Sequence, residues 1–183
     1  YVLRDHYPTF DCTIVRKLKE AGGILVGKTN LPEFSFGGVT PGCHNPWDLT
    51  RNSGGSSGGS GSALASSMLI AATGGDTSGS IRNPSSTNGI VGIKPTFGLV
   101  SRYGVVPISW TLDHLGPMAR TVEDVAIMLK IIAGPDPMDQ FSARAPARDY
   151  PQQLRRSIRG LRVGVLSESE MKGFHPDTRK AFV

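Results

Sequence analysis

The sequence predicts an α/β fold in which a mixed central sheet is flanked by helices. Three observations lead to this prediction. Short apolar runs alternate with segments of helical periodicity, 38% of the 183 residues are apolar, and no internal repeat interrupts the pattern. The apolar content is too high for a disordered chain, and the longest apolar-leaning run, residues 63–73, is too short for a membrane span.

The first predicted elements are a helix and a short strand. Apolar residues recur at helical spacing over residues 14–21, and the glycines at 22–23 are a stop signal. Residues 24–26 (ILV) follow and predict a short buried strand. Residues 32–55 then carry the Pro, Gly and Asn of a long turn region.

The middle of the chain is rich in small residues. Residues 53–86 contain 11 of the 18 serines and eight glycines, which by itself is the composition of a flexible linker. The same segment contains residues 63–65 (ALA) and 68–72 (MLIAA), which predict a buried helix that begins near Ser57. We therefore expect a packed segment whose small side chains let backbones approach one another, or a ligand, closely.

The second half alternates again between strands and helices. Residues 90–93 and 99–103 predict short strands. The strongest helix signal follows, because Thr121 is a capping residue, Asp124 lies three residues later, and an apolar stripe continues to the stop signal at residues 134–135.

The last part of the chain is basic. Residues 135–160 predict a loop with at most a turn of helix, residues 161–166 predict another buried strand, and Pro176 marks a helix start. Residues 144–183 carry nine Lys or Arg against four Asp or Glu and account for the whole net charge of +5. The arginine-rich stretch, residues 155–162, has no aromatic residue and no nucleic-acid motif, so we interpret it as a solvated face.

Composition also bears on compartment and metal chemistry. The two cysteines, Cys12 and Cys43, argue against a disulfide scaffold, and with no visible signal peptide they favour a cytoplasmic protein. The histidines and cysteines lack metal-ligand spacing, so we expect no metal and no cofactor. Asp113 and His114 are adjacent in sequence, but adjacency does not place an acid against the correct ring nitrogen of a triad.

The sequence matches the residue patterns of three familiar motifs, but the residues around each match argue against the corresponding function. Residues 22–29 fit the P-loop spacing, but the positions that would cradle phosphate are those of the predicted apolar strand. Residues 54–58 fit the nucleophile elbow G-x-S-x-G, but the preceding residues 48–53 do not predict the strand that this motif requires. Residues 169–172 fit S-x-x-K without its companion motifs.

The serine–glycine segment carries a resemblance to a known family. GGSSGGS at residues 54–60 is followed by GDTSGSIRNPS at residues 75–85, with GKTNLPEF upstream and GIKPT and GPMART downstream in that order. From about residue 10 to residue 140 the sequence resembles the amidase signature family. The resemblance implies that family's α/β fold, with residues 1–143 as the signature core and residues 144–183 as the start of the remaining part of the domain.

The resemblance implies a reaction and its residues. Members of the family hydrolyse amide bonds, or use the released ammonia, through a Ser-Ser-Lys triad. Ser80 matches the nucleophile that forms the acyl-enzyme, and Ser56 matches the bridging serine, which follows a cis peptide bond. The matching oxyanion-hole donors are backbone N–H groups, those of Thr77, Ser78, Gly79 and Ser80 itself. Asp76 and Arg82 are expected to brace this loop.

The triad lysine has no match in the sequence. In the family it lies further before the bridging serine than the 55 residues that precede Ser56, while Lys28 and Lys94 belong to other blocks. We therefore expect an internal fragment of a larger amidase that shows negligible turnover alone. A smaller departure is Ser78, where the family usually has Gly.

Three functions stay open at this point. The first is a general amidase acting on a small-molecule amide, with no membrane or nucleic-acid partner. The second is the A subunit of glutamyl-tRNA amidotransferase, which works with partner subunits on a charged tRNA. Asn83, where that subunit typically has Gln, favours the first. The third is a non-catalytic binding protein with the same fold, against which the intact Ser56 and Ser80 argue.

Overall fold

The computed structural model describes residues 2–182 and confirms the α/β fold class. The α-helices in these residues are α1 (Thr13–Glu20), α2 (Gly58–Ala65), α3 (Arg82–Asn88), α4 (Val122–Ile132), α5 (Tyr150–Gln153) and α6 (Pro176–Phe182). The strands are β1 (His44–Asn45), β2 (Asp48–Asn52), β3 (Ala71–Asp76), β4 (Val91–Gly92) and β5 (His114–Ala119). Within residues 2–182, none of the helices has the combination of length and apolar character that a membrane span requires.

Strand β5 organises the principal sheet. It lies between β3 and β4 and pairs with both in antiparallel orientation. Its register with β3 runs without a break from Ala71 opposite Ala119 to Asp76 opposite His114. Strands β1 and β2 form a separate two-stranded antiparallel sheet. The carboxyl end of β3 is therefore fixed along β5 before the chain enters the loop that contains Ser80.

Two clusters of buried apolar side chains hold the helices. In the first, Ile14 of α1 packs with Leu129 and Ile132 of α4. In the second, Leu64 of α2, Met118 of β5 and Ile81 are each 0% exposed. Because Ile81 directly follows Ser80 in the chain, the second cluster anchors one end of the serine loop.

Several predicted elements are confirmed, including α1, the helix near Ser57 (α2), the strand at residues 90–93 (β4) and the helix after Pro176 (α6). The predicted cap of α4 is also present, because Thr121 Oγ1 accepts a hydrogen bond from the Asp124 N–H at 3.1 Å. The turn of helix predicted in the basic loop is α5.

Two predicted buried strands are wrong. Residues 24–26 and 161–166 are not assigned to any strand, and their apolar side chains lie exposed. Ile24 is 88% exposed and Val163 is 78% exposed. An apolar run is buried only where another apolar surface lies beside it, and no described element pairs with either run.

The helix predicted through residues 68–72 is also wrong. Helix α2 ends at Ala65, and Ser67 takes a positive φ of 61°. The chain turns there and continues as β3, which begins at Ala71. Apolar runs this short do not separate a helix from a strand by themselves, and the pairing with β5 decides the outcome.

Two further predictions about strands are corrected. Residues 48–53, which were not expected to form a strand, contain β2, but β2 lies in the exposed two-stranded sheet rather than in the principal one. Residues 99–103, which were expected to form a strand, contribute only an isolated bridge between Val100 and Ala133.

Candidate active site

Ser56 and Ser80 line one cavity of about 470 Å³. The end of β3 and the loop after it contribute to the lining of this cavity. Residues 102–108 and 138–141 contribute much of the rest. Two serines that are 24 positions apart in the chain therefore face a common space that also holds titratable and apolar side chains.

The segment around Ser56 is held by hydrogen bonds between its backbone and the Thr40 hydroxyl. The Gly55–Ser56 peptide bond is cis, as expected, and Ser56 is 1% exposed. The Thr40 hydroxyl donates to the Ser56 carbonyl oxygen at 2.9 Å and accepts from the Gly58 N–H at 3.0 Å. A β-carbon at Gly55 would lie 2.8 Å from the backbone nitrogen of Val39, so this position requires glycine.

The loop that carries Ser80 is closed by one buried carboxylate. Asp76, which is 1% exposed, accepts hydrogen bonds from the N–H groups of Ile81 at 3.2 Å and Arg82 at 3.3 Å. The Arg82 guanidinium donates to both carboxylate oxygens at 3.0 Å. Burial alone would raise the pKa of Asp76, but the hydrogen bonds from Arg82 and Ile81 outweigh it and lower this pKa. Asp76 and Arg82 thus brace the loop, as predicted.

Direct bonds join the two serine segments. The Ser57 N–H donates to the Ser80 carbonyl oxygen at 3.2 Å. The Asn83 side-chain oxygen accepts from the Gly55 N–H at 3.1 Å, so α3 reaches back to the bridging-serine segment. Among the hydrogen bonds of residues 2–182, none connects the hydroxyls of Ser56 and Ser80 themselves.

The residues matched to the oxyanion hole differ in their placement. Thr77 and Ser80 line the cavity, whereas Ser78 and Gly79 connect them outside its lining. Gly79 has a φ of 150°, in the region that favours glycine, and its carbonyl accepts from the Asn83 N–H at 2.7 Å. The loop is therefore turned tightly between its two cavity-facing ends.

Sequence reasoning missed the part of the cavity that β5 contributes. His114 lines the cavity, and its Nδ1 lies 2.6 Å from the Leu112 carbonyl oxygen and 3.2 Å from that of Asp76. Because both partners are acceptors, Nδ1 carries the proton, and Nε2 faces Lys94 Nζ at 3.2 Å. His114 is not paired with the Asp113 carboxylate, as expected. Only the register of β3 with β5 could have placed it here.

Arg102, which lines the cavity, packs its guanidinium against two aromatic rings. The Arg102 guanidinium lies 4.8 Å from the ring centroids of both Phe97 and Phe141. The guanidinium also donates to the Trp110 carbonyl oxygen at 2.9 Å. The backbone N–H of Arg102 donates to the Asp139 carboxylate at 2.8 Å. These contacts hold the arginine in the lining of the cavity.

Lysine is absent from the cavity lining in the described part of the chain. Lys28 is exposed, and Lys94 donates to the Pro95 carbonyl oxygen and contacts His114. Residues 2–182 also contain no cluster of His, Cys, Asp and Glu that could hold a metal ion. The hydroxyl side chains that line the cavity include those of Ser56, Thr77 and Ser80.

Comparison with known proteins decides the family. The family model described as Amidase matches residues 1–183. The chain belongs to the amidase family. It is 48% identical over 186 residues to the A subunit of glutamyl-tRNA(Gln) amidotransferase from Desulfatibacillum aliphaticivorans, and the match covers 98% of this chain but 38% of that protein. The chain therefore spans well under half the length of this relative.

Solved structures of amidase-family proteins share the fold. The A subunit of glutamyl-tRNA(Gln) amidotransferase from Thermotoga maritima is 47% identical with a TM-score of 0.75, and the match covers 79% of this chain and 33% of that one. The peptide amidase of Stenotrophomonas maltophilia is 42% identical with a TM-score of 0.74, covering 79% of this chain and 32% of that one. The α/β arrangement described above is thus the amidase-family fold.

Proposed function

We propose that this chain carries the nucleophile of an amidase that acts on a small-molecule carboxamide. The observation that supports it most directly is the common cavity of Ser56 and Ser80, with the loop between Asp76 and Arg82 closed behind the nucleophile. Membership of the amidase family supports the same reaction class.

In the proposed reaction, Ser80 Oγ attacks the carbonyl carbon of the amide and loses its proton through Ser56 to a base. Backbone N–H groups of the loop, those of Thr77 to Ser80, stabilise the oxyanion that forms. The C–N bond then breaks, the leaving nitrogen takes a proton and departs as ammonia or an amine, and an ester on Ser80 remains. Water hydrolyses this ester to the free acid and regenerates the serine.

We infer that the base is a lysine outside these 183 residues, which form part of a larger amidase domain. The lysine-free lining of the cavity among the described residues supports this inference, as does the 38% coverage of the relative. A lysine must be desolvated to accept a proton near neutral pH, because its ordinary pKa is about 10.4. The 183-residue chain alone is then expected to show negligible amide turnover.

Serine labelling in the longer polypeptide that contains this chain tests the proposal. We expect a fluorophosphonate probe to modify Ser80 and an aryl amide to be hydrolysed, and Ser80→Ala to abolish both. Ser66→Ala is the matched control, because Ser66 is an exposed serine whose hydroxyl, within residues 2–182, bonds only the carbonyls of its own helix. Labelling that persists at another serine in Ser80→Ala would overturn the assignment.

A second candidate is the A subunit of an amidotransferase, which the name and 48% identity of the Desulfatibacillum relative favour. That function predicts glutaminase activity that depends on ATP and tRNA, together with co-purification with a B-type subunit. The free-standing amidase predicts turnover without either. An unreactive Ser80 in the longer polypeptide would instead support a non-catalytic binding protein.

We also propose a cytoplasmic location. Cys12 and Cys43 are both free thiols in the structure, which is the state that a reducing compartment maintains. Fractionation of cells that express the longer polypeptide measures the location directly.

A further inference from the structure

We infer that Asp113 is a positioning residue that holds the oxyanion loop and the apolar wall of the cavity at a fixed separation. This inference rests on the proposed function, because it concerns how the amide substrate is oriented for attack by Ser80. Neither the resemblance of the sequence blocks nor the chemistry of the triad assigns a role to this residue.

The Asp113 carboxylate bonds to both parts of the site. Its Oδ1 accepts from the Thr77 hydroxyl at 2.6 Å, at the start of the loop that leads to Ser80. Its Oδ2 accepts from the N–H groups of Ile108 at 2.8 Å and Ser109 at 2.9 Å. One side chain therefore connects the oxyanion loop to residues 105–110, which we call the wall loop.

Among residues 2–182, the Asp113 carboxylate has no hydrogen-bond partner besides Thr77, Ile108 and Ser109. In the described part of the chain it forms no salt bridge, and the nearby Arg102 guanidinium instead donates to the Asp113 carbonyl oxygen at 3.3 Å. The neighbouring His114 ring bonds carbonyl oxygens and Lys94. Each carboxylate oxygen is thus bonded to a different segment, Oδ1 to the oxyanion loop and Oδ2 to the wall loop.

The segments that Asp113 joins differ in chemistry. The wall loop presents Val105, Val106, Pro107, Ile108 and Trp110 to the cavity. The oxyanion loop presents Thr77 and the backbone beside Ser80. A substrate whose apolar part lies on the wall has its carbonyl placed by the distance between the two loops, and a displacement of about 1 Å can lower a rate by about a hundredfold.

The test uses the longer polypeptide and two pairs of variants. Asp113→Ala removes all three bonds, whereas in Asp113→Asn the amide oxygen can accept from both backbone N–H groups while the amide nitrogen donates to Thr77 Oγ1. Thr77→Val removes the hydroxyl, and Thr77→Ser keeps it. Thr50→Val is the matched control, because Thr50 Oγ1 donates to Asp48 Oδ1 at the same 2.6 Å in the exposed β2 segment.

We expect Asp113→Ala and Thr77→Val to lower kcat about ten- to hundredfold with little change in KM, because the lost positioning acts in the transition state. Asp113→Asn and Thr77→Ser should recover at least about a third of kcat, and the Asp113→Ala/Thr77→Val double variant should be no slower than Asp113→Ala. The rate ratio between an apolar aryl amide and a short aliphatic amide should fall in Asp113→Ala. Fluorophosphonate titration of active sites normalises each rate for the fraction folded.

A kcat per titrated site within about twofold of the unaltered enzyme in both Asp113→Ala and Thr77→Val would overturn the inference, as would equal losses in Thr77→Val and Thr77→Ser. If Asp113→Ala does not fold, the Thr77 pair alone decides between these outcomes. Full activity of Ser80→Ala would overturn the proposed function instead, so the two failures are distinguishable.

Discussion

Apolar segments are usually buried and polar ones exposed, but two segments of this chain, residues 53–86 and residues 161–166, show the opposite relation. The first segment is dominated by serine and glycine, and residues 53–60 are buried without exception. The second reads LRVGVL, yet all six of its residues are exposed. Composition alone would have assigned the first to a linker and the second to the core.

The difference teaches that burial depends on the surface a segment meets. In the serine–glycine segment, the absence of large side chains lets α2 lie against neighbouring backbone, and a β-carbon at Gly59 would lie 2.4 Å from the Asn30 carbonyl oxygen. Serine hydroxyls satisfy the polar groups that this contact buries, as when Ser60 donates to the Thr73 carbonyl oxygen at 3.0 Å. Residues 161–166 have no such surface beside them in the described part of the chain.

The largest expected difference in stability between the serine–glycine segment and the basic part of the chain comes from replacing Asp76. Asp76→Ala leaves the half-exposed Arg82 and two backbone N–H groups without their acceptor, so we expect the free energy of unfolding to fall by about 2–4 kcal/mol. Asp149→Ala in the basic part removes an exposed pair with Lys130 at 2.8 Å and a helix cap, and should cost clearly less because water screens that pair. Urea unfolding of both variants measures the difference, and equal costs would contradict the role assigned to Asp76.

A smaller effect is expected from adding one methyl group to each region. Gly59→Ala forces a β-carbon against the backbone of Asn30 and should destabilise the fold by about 1–3 kcal/mol. Gly164→Ala places its added carbon more than 4 Å from the described residues other than its two chain neighbours, so it should change stability by less than about 0.5 kcal/mol.

Thermal unfolding compares these two variants in the 183-residue chain. If Gly164→Ala lowers the stability as much as Gly59→Ala does, the proposed difference in packing between residues 53–86 and residues 161–166 is wrong. Thermal unfolding of the same two variants in a longer polypeptide tests whether other parts of that polypeptide cover residues 161–166.

The smallest expected effect is the pH dependence that Asp76 gives to the free energy of unfolding. The pKa of Asp76 is lowered in the folded state, so its contribution to stability is fully present above the ordinary aspartate pKa of about 3.9 and is lost as pH falls through the folded-state value. We expect the free energy of unfolding to decrease more between pH 6 and pH 3 in the unaltered chain than in Asp76→Asn. Parallel pH profiles for the two proteins would show that Asp76 does not contribute in this way.

The sequence predicted the helices with clear end signals and the two serine blocks, because these features are local. The cap of α4 depends on residues three positions apart. The Gly55–Ser56 cis bond was expected from the family resemblance that the GGSSGGS block carries. It did not predict β3 and β5, whose glycines and proline hide the strand pattern. Asp113 and His114 entered the site with β5, so their presence in the cavity could not be predicted either.

The sequence by itself determined the family and the α/β class, and it marked the two serine blocks whose Ser56 and Ser80 line the cavity, since each depends on residue types at short, ordered spacings. The tertiary structure alone decided which apolar runs are buried and which carboxylate bonds to both the oxyanion loop and the wall loop. Both depend on pairings between residues far apart in the chain, such as Asp76 opposite His114 and Thr77 against Asp113. A hydrogen bond or a buried contact forms only when the whole fold brings its two partners together.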